Sequence, residues 1–169
     1  MRAIFKNYFW GFIVILSLLT LPNKGLGQSL AYRTLLSTLY DSDFPTIKPA
    51  ELSTLEAFQI LDTREKEEFE ISHLQGAKWV GFDNFELKNV SGLDKNKPVL
   101  VYCTVGARSQ EIGKRLSEAG FTKVFNLYGG IIHWSNESMP LYQNGSLTNQ
   151  VHTYSRSWGI WLEKGQKVY

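Results

Sequence analysis

The sequence predicts an α/β domain with a central, mostly parallel sheet flanked by helices. Short apolar runs alternate with charged or amphipathic helical stretches from Pro45 onward, the pattern of parallel strands joined by helical crossovers. The strongest apolar run, Pro98–Tyr102, passes directly through a short glycine-containing loop into a helix. The order of elements follows from local pattern. Residues 28–41 place Tyr32, Leu35, Leu36, Leu39 and Tyr40 on one face at three- and four-residue spacing, an amphipathic helix ended by Asp41-Ser42-Asp43. Phe58–Leu61 reads as a strand ending at Asp62, Glu65–Ile71 as a charged helix, and Ala77–Val80 as a second strand. Residues 83–97 are loop-like with helical content around Phe85–Val90. Ser109–Ala119 reads as a helix with Ile112 and Leu116 on one face and Gly120 as its stop, and Lys123–Leu127 as a further strand.

Length and composition limit what the chain can be. Its 169 residues suit one ordinary domain, and 43 % hydrophobic with 20 % charged residues is a foldable mixture. No long basic run points to nucleic acid. Cys103 is the single cysteine, which excludes an intrachain disulfide and a cysteine-rich zinc site. His73, His133 and His152 stand at no metal-ligand spacing, so neither a metal nor an organic cofactor is expected. Both His73 and His133 read as structural.

Residues 1–27 read as a secretory signal peptide. Arg2 and Lys6 give a basic start, Phe9–Leu21 an apolar run, and Gly25-Leu26-Gly27 a small-x-small cleavage pattern that predicts a mature chain beginning at Gln28. As a helix the run reaches roughly 20 Å, short of a bilayer core of about 30 Å. The alternative, an uncleaved membrane anchor, keeps the same residues. Removing this segment takes the chain from 18 basic residues to 15 against the same 16 acidic, a net charge of −1. The expected location is therefore outside the cytoplasm, periplasmic before extracellular. The expected organisation is signal peptide 1–27, N-terminal helix 28–44, α/β domain 45–140 and an aromatic tail 141–169. That tail carries Tyr154, Trp158 and Trp161 and is expected to pack back onto the domain, with a partner site as the alternative. The triplets at Asn89, Asn136 and Asn144 match the glycosylation pattern, which matters only in a glycosylating host.

The chemistry points to Val99-Leu-Val-Tyr-Cys103-Thr-Val-Gly-Ala-Arg108-Ser109. A strand that turns sharply into a helix leaves the first backbone N–H groups of that helix without intrahelical partners. With the helix dipole they form an anion pocket, to which Gly106 gives freedom to curl and Arg108 gives charge. Helix N-termini and neighbouring cations favour the thiolate of a cysteine, which is its nucleophilic form. The same pocket suits a persulfide anion. Cys103 could instead be a small buried hydrophobe, the commoner fate of a lone cysteine after an apolar strand.

Three segments together resemble the rhodanese family of sulfurtransferases. They are Leu61-Asp62-Thr63-Arg64 with Glu68-Phe69 and His73-Leu-Gln-Gly-Ala77, the loop Cys103–Ser109, and Gly120-Phe-Thr-Lys-Val124 with Leu127-Tyr-Gly129-Gly130-Ile-Ile-His-Trp134. They span about residues 45–140 in the family's order. The resemblance implies a three-layer α/β fold and assigns Cys103 as the residue that accepts and passes on sulfane sulfur. It implies that Thr104, Val105, Gly106, Ala107, Arg108 and Ser109 form the substrate loop, with backbone amides of 104–108 around the outer sulfur. Asp62, Arg64, Gly129, Gly130 and Trp134 would support the structure. Ser72, where the family often has glycine, and Gly113, where alanine is common inside the helix, depart from the pattern; a mid-helix glycine costs roughly 1 kcal/mol.

The expected reaction moves sulfur from thiosulfate or a persulfide to a thiol or cyanide through a Cys103 persulfide. A protein acceptor is a further candidate, and no nucleic acid or lasting membrane association is expected. Arg108 is the only charge in the loop, which favours a persulfide or polysulfide over the thiosulfate dianion. With one cysteine, the acceptor must be external. A non-enzymatic persulfide carrier or partner-binding module is the main rival. A related phosphatase is a third, disfavoured because only four residues separate Cys103 from Arg108.

Overall fold

The computed structural model describes residues 24–169. The basic start and apolar run of the expected signal peptide lie outside the described residues. The chain divides into two units, residues 1–34 and 35–169. The first contributes the leading turns of helix α1 (Lys24–Leu39), and the second holds every other element. Among the described residues no helix is long and apolar enough to cross a membrane.

Five strands form one parallel sheet: β1 (Thr46–Ile47), β2 (Gln59–Asp62), β3 (Lys78–Trp79), β4 (Val99–Tyr102) and β5 (Val124–Leu127). Their spatial order is β1-β5-β4-β2-β3. Helices α2 (Lys66–Ile71), α3 (Ala107–Glu118) and α4 (Gly130–Asn136) follow β2, β4 and β5 and flank the sheet. The predicted α/β class is the observed one, and the main sheet is parallel throughout. Strand β1, only two residues long, carries no periodicity and escaped the sequence reading. The helix content expected near Phe85–Val90 is a single 3₁₀ turn, Leu87–Val90.

Central position explains why β4 reads as an unbroken apolar run. All four of its residues are fully buried, as a strand covered on both faces requires. Leu61, Val99, Val101, Ile112, Leu116, Phe121 and Val124 belong to one core cluster that also includes Phe44 and Phe85. Gly113 is part of this packing. A Cβ there would lie 2.5 Å from the Phe44 ring and 3.3 Å from Val101, so α3 gives up helix propensity to approach its neighbours closely.

Beyond α4 the chain forms two small sheets. Strands β6 (Leu141–Gln143) and β7 (Ser146–Thr148) make an antiparallel hairpin whose turn is Asn144-Gly145, both at positive φ. Strands β8 (Gln150–His152) and β9 (Gln166–Val168) pair in parallel, with the short helix α5 (Arg156–Gly159) between them. Several hydrogen bonds fix this segment to α4. Asn136 Nδ2 donates to Trp161 O at 2.9 Å, and Ser135 Oγ to Lys164 O at 2.7 Å.

Candidate active site

Cys103 stands at the C-terminal end of β4, in the middle of the parallel sheet, where α/β proteins place their ligands. The chain then turns through Thr104–Gly106 into α3. Gly106 makes this possible with φ +101°, a left-handed conformation that costs glycine little. The turn aims the Gly106 N–H at Cys103, and it donates to Sγ at 3.1 Å. Of the loop amides expected around the outer sulfur, this one already binds the thiol sulfur. A sulfur on Cys103 therefore sits against a backbone dipole at the N-terminus of a twelve-residue helix.

Two side chains outside the loop, Tyr40 and Asn126, hold that turn. Tyr40 Oη donates to Val105 O at 2.6 Å and accepts from Gly129 N at 2.7 Å, tying the cysteine loop to the loop that opens α4. Burial pushes the Tyr40 hydroxyl well above the usual tyrosine range, so it keeps its proton and remains a donor. Asn126 on β5 donates from Nδ2 to Gly106 O at 2.9 Å and accepts from Ser109 Oγ at 2.7 Å. Ser109 thus braces the loop from behind and does not line the pocket. From α4, the N–H of Ile131 reaches Cys103 O at 2.9 Å and that of Ile132 reaches Thr104 O at 3.2 Å. Gly130 permits this clasp, because a Cβ there would lie 2.4 Å from Cys103 O. Trp134 anchors the same helix, fully buried, with Nε1 donating to Pro140 O at 2.9 Å.

Asp62 and Arg64 form a fully buried ion pair. The guanidinium meets the carboxylate from Nε at 2.9 and 3.1 Å, and from Nη2, which also donates to Ser72 O at 2.6 Å. Arg64 O in turn accepts from Trp79 Nε1 at 2.8 Å. The pair joins the ends of β2, α2 and β3.

Arg108 departs from the sequence expectation. Sequence alone gives it a fixed positive charge in an anion pocket and no partner. Instead its Nη2 binds both oxygens of Glu68, at 3.1 and 2.9 Å, and Thr104 Oγ1 at 2.9 Å, while Nη1 lies 3.5 Å from Glu65. Thr104 Oγ1 also donates to Glu68 at 2.8 Å. Burial alone would draw the guanidinium pKa down. Cys103 and the two carboxylates outweigh it and hold the pKa above the ordinary arginine value, so Arg108 stays charged. Its charge is largely spent on Glu68, which is itself buried. Sequence spacing could not have paired residue 68 with residue 108, because α2 and α3 meet only through the sheet's register.

The pocket over Cys103 has a volume of about 210 Å³ and is lined by Cys103, Thr104, Val105, Ala107, Arg108, Tyr154 and Trp158. Two of these walls come from the C-terminal segment. Tyr154 lies with its ring centroid 4.9 Å from the Arg108 guanidinium carbon, a cation–π contact. Its φ is +66°, a conformation that costs a non-glycine residue roughly 1–2 kcal/mol. Hydrogen bonds of Thr153 N to Val168 O, Tyr154 N to His152 Nδ1 and Ser155 N to Thr153 O hold it there. The aromatic content of this tail was visible in the sequence; its placement over the cysteine was not.

A cysteine at a strand end, cupped by a glycine turn and a helix N-terminus, marks the candidate site of this parallel α/β fold. Residues 49–137 match the model of the rhodanese-like domain, and the chain belongs to that family. Among curated proteins, it is 33 % identical over 92 residues to the thiosulfate sulfurtransferase GlpE of Coxiella burnetii, an alignment covering 50 % of this chain and 85 % of that protein. It is 31 % identical over 83 residues to the putative sulfur carrier protein YrkF of Bacillus subtilis, covering 49 % of this chain and 44 % of that one. A solved rhodanese-related protein of Thermoplasma volcanium superposes with a TM-score of 0.53 at 27 % identity, over 59 % of this chain and 98 % of that one. Tyr154 and Trp158 lie beyond the residues that match the family.

Proposed function

We propose that this protein is a sulfurtransferase that carries sulfane sulfur as a persulfide on Cys103. The observation that carries the reading is the Gly106 N–H donated to Sγ inside a left-handed turn at a helix N-terminus. Such an arrangement stabilises negative charge on sulfur both before and after loading. The thiolate attacks the outer sulfur of a donor. An Sγ–S bond forms, the donor's S–S bond breaks, and its electron pair leaves with the donor remnant: sulfite from thiosulfate, a thiolate from a persulfide. A thiol or cyanide then attacks the outer sulfur and returns the Cys103 thiolate. Cys103 is the single cysteine, so this acceptor comes from outside the chain and ping-pong kinetics follow.

Loading is tested by intact-mass spectrometry after mixing with thiosulfate and, separately, with glutathione persulfide. One added sulfur atom on the wild type and none on Cys103→Ser is expected. No gain on a demonstrably reduced thiol would overturn the reading. The carrier alternative draws support from the covered pocket, which narrows access to the sulfur, and differs in its second step. Rapid discharge to cyanide marks an enzyme, and discharge only to a protein marks a carrier.

Export is part of the same proposal. Its support is the basic start, apolar run and Gly25-Leu26-Gly27 of the leader. Amino-terminal sequencing of the protein recovered from its native host is expected to begin at Gln28; an intact Met1 would remove the cleaved-signal reading.

A further inference from the structure

We propose that Tyr154 and Trp158 make this site selective for a monoanionic organic sulfur donor with an apolar or aromatic carbon group, a thiosulfonate or organic persulfide. The proposal rests on the sulfurtransferase reading of Cys103 and adds the donor class.

Charge argues first. The one cation in the loop, Arg108, is shared between Glu68 and Thr104, with Glu65 at 3.5 Å, and makes a cation–π contact with Tyr154. A dianion entering the pocket finds one guanidinium already opposed by two carboxylates. A monoanion needs only the Gly106 N–H and the helix N-terminus for its sulfane sulfur. Shape argues second. The pocket's 210 Å³ is lined by Val105, Ala107 and two aromatic rings besides the cysteine, with Thr104 and Arg108 as the polar part. An apolar cavity of about 150 Å³ already accepts a benzene ring. The space beside Cys103 thus fits one ring and its sulfur-bearing group. The backbone argues third. Tyr154 is kept in the left-handed region by a hydrogen-bonded frame that includes β8 and β9, and such strain gathers where a side chain must be aimed at a ligand.

The transfer balances for this class. The Cys103 thiolate attacks the terminal sulfur of an arenethiosulfonate, Sγ–S forms as the donor S–S bond breaks, and the arenesulfinate leaves with the electron pair. Neither an oxidant nor an added proton is needed.

The test compares loading rates of the full chain with benzenethiosulfonate, methanethiosulfonate and thiosulfate, followed by intact mass. Each rate is divided by that of a free small thiol with the same donor, which removes intrinsic reactivity. The phenyl donor is expected to exceed the methyl donor by roughly three- to tenfold, the range of one aromatic pair, with thiosulfate slowest. Trp158→Ala and Tyr154→Gly are each expected to lower the phenyl-to-methyl ratio towards one. Tyr154→Gly is the sharper variant, because glycine relieves the positive φ. Its Tm should not fall below the wild-type value by more than a few degrees, so a lost preference could not be laid to unfolding. Equal corrected rates for phenyl and methyl, or a preference that survives both substitutions, would overturn the donor proposal while leaving the persulfide intact. No sulfur on Cys103 from any of the three donors would overturn the sulfurtransferase reading and the proposal together.

Discussion

Replacing Gly106 by alanine tests whether the cysteine turn is held by the contact that the structure shows. The substitution has two costs. One is backbone: φ +101° in a residue with a Cβ costs roughly 1–2 kcal/mol. The other is steric. The new Cβ would lie 2.1 Å from Tyr40 Oη and 2.7 Å from its Cζ, and the ring must leave. Its hydroxyl then loses both Val105 O and Gly129 N, two hydrogen bonds worth about 1 kcal/mol each. Together these give about 3–4 kcal/mol, a fall in Tm of roughly 6–16 °C for a chain of this length. Gly145→Ala isolates the backbone cost, because Gly145 has φ +79° in an exposed hairpin turn with nothing within 4 Å of its Cβ position. It should lose only the first contribution. Differential scanning fluorimetry on the two variants, with persulfide loading measured in parallel, reads both. Gly106→Ala is expected to be the less stable by about 2 kcal/mol and to load sulfur far more slowly, because the N–H that faces Sγ is displaced. Equal Tm values for the two variants would refute the Tyr40 contact as the turn's support.

Three further outcomes follow from other parts of the structure. Asp62→Ala leaves the Arg64 guanidinium buried without its carboxylate and should cost about 3–5 kcal/mol, whereas Asp62→Leu combined with Arg64→Met should cost clearly less; a strictly additive double substitution in urea melts would contradict the pairing. Asn126→Ala removes the brace between Ser109 Oγ and Gly106 O, and should slow persulfide loading while lowering stability by about 1–3 kcal/mol; unchanged loading would show that the loop needs no support from β5. Burial depresses the His152 pKa below 6.5, and its Nδ1 accepts the Tyr154 N–H only when unprotonated. The folded pKa lies below the unfolded one, so this contribution is whole above about pH 6.5 and is lost as pH falls through the folded value. Trp158 fluorescence should therefore shift on acidification below pH 6.5, and a His152→Gln variant should not show that shift.

How much was legible depended on whether a feature is local or assembled. Strands β2, β4 and β5 were readable because each centres on adjacent apolar residues with a clear boundary, and burial of all four β4 residues is what its unbroken run requires. The glycine turn was readable too, since Gly106 and the helix start stand within a few residues of Cys103. Glu68 lies forty residues from Arg108, and nothing in either neighbourhood signals the pairing. The roles of Tyr40 and Asn126 escaped for the same reason: each supports the loop through side-chain hydrogen bonds to residues distant in sequence. The mid-helix Gly113, a departure from the family pattern in sequence, has a packing reason that sequence does not show: the Phe44 ring lies where its Cβ would be.

The placement of Glu68 changes what Arg108 can be asked to do. From sequence, a lone arginine in the loop argues for attraction of an anionic donor. In the structure the same arginine is a framework group, hydrogen-bonded to Glu68 and Thr104 and in cation–π contact with Tyr154. What remains to meet a substrate's charge is backbone: the Gly106 N–H and the N-terminus of α3. Fixed dipoles of this kind stabilise a sulfur anion at one point but do not draw in a second negative charge several ångströms away. Under the donor proposal, discrimination between donors passes from charge to surface, to the two rings that residues outside the family-matched span contribute. On that proposal a rhodanese-like domain keeps the glycine turn at its cysteine and takes a different donor.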